Sequence, residues 1–271
     1  MNKNQFGFSH TIVLIIVVVI GVVGFAGWQV FRADKNKDVA ENLQQTQPNP
    51  SENLQEQVEC AETGPGLFTK DITELSAISL IQNPIRVIGG NNIKTHSFVE
   101  VTQKSPIYAP MDSTLTGGAN YYETMGENPV SKVQYLLSFS NGCDINYWLD
   151  HLVDVPDNIK KAFPPKPQND TRSAKVKQVK VKAGDLVGYS NQSGTARFDF
   201  GVLDLDGPET VLTTDSRFKD NEIVKTSDKY RHAVCPYQFY DATKIKQYVS
   251  LFDTSSDSDQ EIIVNLCKAL K

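Results

Sequence analysis

The stretch that decides the fold opens with His96-Ser97-Phe98-Val99-Glu100 and then Ser105-Pro106-Ile107-Tyr108-Ala109-Pro110-Met111-Asp112-Ser113-Thr114-Leu115. Its middle carries Tyr147-Trp148-Leu149-Asp150-His151-Leu152. Its end reads Val181-Lys182-Ala183-Gly184-Asp185-Leu186-Val187-Gly188-Tyr189-Ser190, then Arg197-Phe198-Asp199-Phe200-Gly201-Val202. Short β-branched and aromatic runs punctuated by Pro, Gly, Asp and Ser are the pattern of strands joined by tight turns. They predict strands over 97–101, 107–109, 113–116, 133–139, 144–149, 175–181, 186–190 and 196–203. Alternation is plainest in Val176-Lys177-Gln178-Val179-Lys180-Val181, where Val179 and Val181 share one face and Lys180 takes the other. That is a half-buried strand whose lysines form a solvated face.

In this order, these phrases resemble the lysostaphin-type (LytM) family of zinc endopeptidases that cut peptidoglycan cross-bridges. The core of that family shows H-x-G-x-D, P-V-Y-A-P-x-D-G-T-V, Y-x-H-L, V-K-A-G-x-x-I-G and a terminal H-x-H-F. His96 and Glu100 fall on the first pair, with Glu for Asp. His151 falls on the Y-x-H-L histidine, with Leu149 in the Tyr place, and the terminal H-x-H is here Arg197-Phe198-Asp199. The resemblance implies a mainly β fold, an antiparallel sheet domain of the duplicated hybrid motif type over 93–206. It further implies that His96, Glu100 and Asp199 are the metal ligands if zinc is retained, and that His151 and Arg197 occupy the catalytic places.

A zinc peptidase needs three protein ligands and an open position for the water whose pKa the metal lowers. One imidazole and two carboxylates are legitimate donors. Arginine, in contrast, stabilises negative charge but does not shuttle protons near neutral pH. The expectation is therefore a member without peptidase activity and without a cofactor, which binds a cell-wall glycopeptide or an envelope protein. The alternative is a zinc-dependent peptidoglycan endopeptidase with altered ligands. Residues two or four apart on a strand share a face. His96 with Glu100, Arg197 with Asp199, and His151 are thus expected in one groove, with Arg197 roughly 4 to 6 Å from Glu100 or Asp199 and favouring ion pairing over capture of a divalent cation. The plainer reading of the same residues is a strand histidine, a surface carboxylate and a same-face pair on one strand. His232 is a further possible ligand, and His10 has no assigned role.

The remaining chain supplies context. The 271 residues are 39% apolar with a net charge of -5, and Lys and Arg are scattered. No basic stripe with interleaved aromatics supports nucleic-acid binding. No Gly-rich phosphate loop, nucleophile elbow or EF-hand loop is present. The apolar run at 12–31 predicts a transmembrane helix after a short segment, 1–11, since roughly 20 residues span hydrocarbon. Residues 32–59 are Gln-, Asn- and Pro-rich and read as a disordered tether. Lys3 precedes the helix while Arg32, Lys35 and Lys37 follow it, so the charge count places the large domain in the cytoplasm. The resemblance implies the outside, and the expectation follows it. Cys60, Cys143, Cys235 and Cys267 form no C-x-x-C pair. They are compatible with two disulfides in any of three pairings, or with four free thiols in a reducing compartment. A lead-in at 60–92, a Pro-rich surface insertion after His151, and a C-terminal cap at 207–271 complete the plan, the cap holding an Asp241-capped helix and a last helix over 259–270.

Overall fold

Strands dominate because the apolar periodicity of the chain is mostly two, and the sheet they build is antiparallel throughout. In the computed structural model, residues 60, 63–88, 92–122, 133–190, 196–253, 260–262, 266–267 and 270 are described. The expected transmembrane helix at 12–31 and the tether at 32–59 lie outside them. Among the described residues no helix is long and apolar enough to cross a membrane. Among the described residues, thirteen strands run β1 Ile78–Gln82, β2 Arg86–Ile88, β3 Asn92–Lys94, β4 Ser97–Val101, β5 Pro106–Tyr108, β6 Ser113–Tyr122, β7 Val133–Ser140, β8 Ile145–Val153, β9 Ala174–Val181, β10 Leu186–Ser190, β11 Arg197–Asp204, β12 Ala233–Val234 and β13 Gln260–Ile262. The short α-helices among them are α1 Asp157–Lys160, α2 Glu222–Thr226, α3 Asp228–Arg231 and α4 Ala242–Val249.

The large sheet has the order β1-β4-β11-β8-β7-β6-β9, with β10 joining β5 and β8, and β12 joining β11. A small sheet has the order β13-β2-β3. One face of the large sheet carries Val99, Val101, Leu137, Phe139, Tyr147, Leu149, Phe198, Phe200 and Val202, all buried in the main core. The other face of the same strands carries Phe98, Trp148, Asp150 and Asp199, because facing residues in a ladder share a side. A satellite cluster of Ala119, Tyr121, Leu136 and Trp148 covers part of this second face. Trp148 lies flat there only because Gly201 stands opposite it. A Cβ at Gly201 would come within 2.1 Å of the indole.

The predicted strands appear, several of them longer than the patterns indicate. β6 continues through Gly117 and Gly118, and β8 runs past His151 to Val153. The sheet also recruits β1 from the lead-in and β12 from the cap, so residues 93–206 do not make the sheet alone. The cap helix α4 begins as expected, with the Asp241 carboxylate accepting from the Thr243 and Lys244 amides at 2.8 and 3.0 Å. The last helix expected over 259–270 is not formed at its start, since Gln260–Ile262 is a strand paired with β2. Backbone pairing to a waiting edge outweighs local helical preference there. The Pro-rich insertion also does more than cover a surface, because Ile159 and Phe163 reach the main core.

Two disulfides close the unit, Cys60–Cys143 and Cys235–Cys267, with Cα separations of 6.0 and 5.1 Å. The first ties the start of the lead-in to the β7–β8 turn. The second staples the cap, and both of its cysteines are buried, whereas Cys60 is exposed. Mild reductant should therefore open Cys60–Cys143 first, as read by alkylation and peptide mapping, while Cys235–Cys267 resists until denaturant is added. Replacing the inner pair by Cys235→Ser with Cys267→Ser should lower stability by about 2 to 4 kcal/mol in urea unfolding.

Candidate functional site

Asp199 is the centre of the second face. It lies on β11 between β4 and β8, directly opposite Phe98 on one side and Asp150 on the other. With 4% of its surface exposed, its carboxylate depends on protein partners, since water cannot solvate it. His96, entering β4, brings Nε2 to 3.0 Å from Asp199 Oδ2, and His151 brings Nε2 to 3.7 Å from the same oxygen. The His96 approach is off the line of a well-formed hydrogen bond. Both of its ring nitrogens, and Asp199 Oδ1, are buried without an aligned hydrogen-bond partner.

His151 reaches this face by a backbone irregularity. Strict alternation along β8 sends Asp150 outward and His151 into the core. Between the pairs Tyr135↔Leu152 and Leu137↔Leu149, however, two residues of β8 stand against Leu136 alone. His151 adopts a positive φ of 61° at this bulge. A bulge turns a side chain that the ladder would otherwise bury, and here it brings Asp150 and His151 to the same side.

A polar network fixes both. Asp150 Oδ1 accepts from the Tyr121 hydroxyl and from the His151 amide, each at 2.7 Å. The Gln134 amide oxygen lies 2.8 Å from His151 Nδ1. A carbonyl oxygen only accepts, so Nδ1 carries the proton of that contact and Nε2 is the nitrogen that meets Asp199. This orienting contact is the kind that sets the tautomer of metal-binding histidines. The ligand atoms of Asp150, His151 and Asp199 all lie within 4.8 Å of one another, a possible metal-holding trio among the described residues.

The electrostatics separate the two carboxyls. Burial raises the pKa of Asp150, as does the Asp199 charge, while His151 and the Tyr121 hydrogen bond pull it back. Burial also acts to raise Asp199, but His96, His151 and Lys94 outweigh it and lower its pKa to about 2. Burial lowers the pKa of His96 against the pull of Asp199. The two facing carboxyls are thereby pushed apart, Asp150 upward and Asp199 downward. Arg86, almost fully buried, lies 4.2 Å from the Phe98 ring centroid, and burial lowers its pKa to about 10.

The expected residues divide as follows. His96, His151 and Asp199 meet, and Asp150, which sequence reasoning missed, joins them. Its signal was the pair of successive polar residues Asp150-His151 in an otherwise alternating strand. Glu100 shares the face but stands one step further along, opposite Arg197, and is outside the trio. Arg197 is exposed, with its guanidinium 5.6 Å from the Phe98 ring centroid and turned toward that ring. His232 lies by the far end of β11, where its carbonyl accepts from the Asp204 amide at 3.0 Å.

The lowered pKa of His96 has a measurable sign. Below 6.5 the unfolded chain takes up a proton that the folded imidazole resists, so this group's contribution is full above 6.5 and is lost as pH falls toward the folded value. Urea midpoints taken from about pH 7.5 down to about pH 5.5 should fall, with up to about 1.4 kcal/mol per pH unit due to this group. His96→Phe should flatten that slope. Among known proteins, no family model matches this chain and no curated protein matches it in sequence.

Proposed function

We propose that this chain is a membrane-anchored, extracytoplasmic protein whose β domain is of the lysostaphin-like type, has lost peptidase activity, and holds a cell-wall glycopeptide in its second-face groove. An envelope protein is the other occupant to test. The order of the sequence phrases supports the architecture, and so does the meeting of His96, His151 and Asp199 from three strands. Two disulfides suit an oxidising, extracytoplasmic location. Tyr121, Leu136 and Trp148 offer an apolar floor beside the charged groups, the mixture that orients polar ligands carrying some apolar surface.

The observation that carries the loss of activity is Arg197. In the family a proton-handling imidazole stands at that place. Here an exposed guanidinium rests over Phe98, and it neither accepts nor delivers a proton near neutral pH. The second reading, a zinc peptidase with altered ligands, draws on the Asp150, His151 and Asp199 trio. One imidazole and two carboxylates fit zinc chemically, with His151 Nε2 left for the metal by Gln134. Zinc, if held there, would supply the activated water of a hydrolase.

Full-length protein should fractionate with membranes, and recovery in the soluble fraction without processing would defeat the anchor. Purified in detergent, it should hold well under one equivalent of zinc and leave peptidoglycan peptides uncut. Soluble glycopeptide fragments should quench its tryptophan fluorescence saturably, and Trp148→Ala should weaken binding by roughly tenfold. Stoichiometric zinc that disappears on His151→Ala, together with peptide cleavage, would establish the enzyme instead. Binding of an envelope protein but not of glycopeptide would reassign the ligand.

A further inference from the structure

Two carboxylates facing each other across β8 and β11 need positive charge close by, and part of it arrives from outside the expected β domain. Lys229 sits on α3 in the cap. Hydrogen bonds to Thr210, its own C-terminal cap and the strand that follows it hold that short helix in place. The Thr210 amide donates to the Arg231 carbonyl and the Thr210 hydroxyl donates to the Tyr230 carbonyl, each at 2.6 Å. The His232 amide donates to the Asp228 carbonyl at 2.8 Å, and Ala233 then pairs with Leu203. Tyr230 packs on a separate apolar cluster that includes Ile85, Leu212 and Phe218. The helix is therefore fixed in place and is not a loose lid.

From that position the half-buried Lys229 extends over the second face, its ammonium 5.0 Å from the Trp148 ring centroid. Trp148 is opposite Gly201 and two residues before Asp150, so one same-face step, about 7 Å, separates it from each carboxyl residue along its strand. We infer that Lys229 is the resident cation of this face, offsetting the charge of Asp150 and Asp199 and denying the trio a divalent metal ion. The inference rests on the metal-free reading above and gives its cause.

The charges on Asp150 and Asp199 act to keep Lys229 protonated although burial lowers its pKa. A divalent ion entering the trio would meet that fixed positive charge, with Lys94 adding to it. Like charges at short range in a partly desolvated site oppose each other strongly. The donors are otherwise suited to the metal, as the zinc reading requires. The difference between an inert groove and a metal centre then lies in one ammonium delivered by the cap.

The test titrates zinc into full-length protein in detergent, at about neutral pH, by calorimetry and by competition with a chromophoric chelator. Wild type, Lys229→Arg, Lys229→Met and Lys229→Gln are compared, with circular dichroism and urea midpoints for each. Wild type and Lys229→Arg should take up no stoichiometric zinc. Both neutral variants should bind one equivalent, at least about tenfold tighter than wild type, and Asp150→Asn added to either should abolish the gain. Folded neutral variants that still refuse zinc would overturn the role of Lys229 while leaving the metal-free reading intact. Stoichiometric zinc in wild type would overturn that reading, and neutral variants that bound it no more tightly than such a wild type would overturn both. Should the neutral variants unfold, rescue of their fold by zinc supports the inference and failure of rescue sinks it.

Discussion

An ionised carboxylate out of contact with water persists only beside compensating charge, and the second face of the sheet is arranged to satisfy this requirement at Asp199. The residue cannot retreat to solvent because β4 and β8 close both sides of its strand. Two imidazoles converge on its Oδ2 from opposite strands. His96 is positioned by the strand entrance of β4, and His151 by a bulge that spends an unfavourable left-handed conformation on a non-glycine residue. Strain of roughly 1 to 3 kcal/mol is tolerated where the surroundings over-determine it. Here the surroundings are the Asp150 oxygen on the His151 amide and the Gln134 oxygen on its ring.

Much of the sheet was legible in the sequence because β4 alternates cleanly, the apolar residues of β11 recur at Phe198, Phe200 and Val202, and turn residues mark the strand ends. The groove was legible in part. His96, His151 and Asp199 could be aligned as a group by pattern. Glu100 was expected among them on the rule that residues four apart share a face, but that rule says nothing of distance. Four residues of strand span about 13 Å, and the Phe98 ring fills the step between. Asp150 stayed hidden because a motif template attends to the histidine beside it, although alternation from Trp148 already puts Asp150 on that face. Lys229 carried no local signal at all. Its sequence neighbourhood is polar and irregular, and only the pairing of β12 with β11 places it over Trp148. The strand at Gln260–Ile262 was missed for a similar reason, since a three-residue strand exists only by virtue of the edge it meets.

The hydrogen bonds around the carboxyl pair hold protons in place. Nδ1 of His151 is engaged by Gln134, the Tyr121 hydroxyl donates to Asp150, and burial disfavours the charged form of His96 against the pull of Asp199. General acid-base catalysis needs a group poised to gain and lose a proton near the working pH, within reach of the reacting atoms. An arginine such as Arg197, exposed on the same face, does not shuttle protons near neutral pH. What the face offers in exchange is fixed geometry. The buried Trp148 indole is laid flat by Gly201, Leu136 packs beside it, and the Lys229 ammonium stands 5.0 Å from its ring centroid. Side chains already pinned by packing and hydrogen bonds lose little freedom when a ligand settles beside them, so the cost of ordering falls mainly on the ligand. The proposed ligand would meet a face whose charge balance draws in part on the cap, where Lys229 lies 25 residues of chain beyond the end of β11.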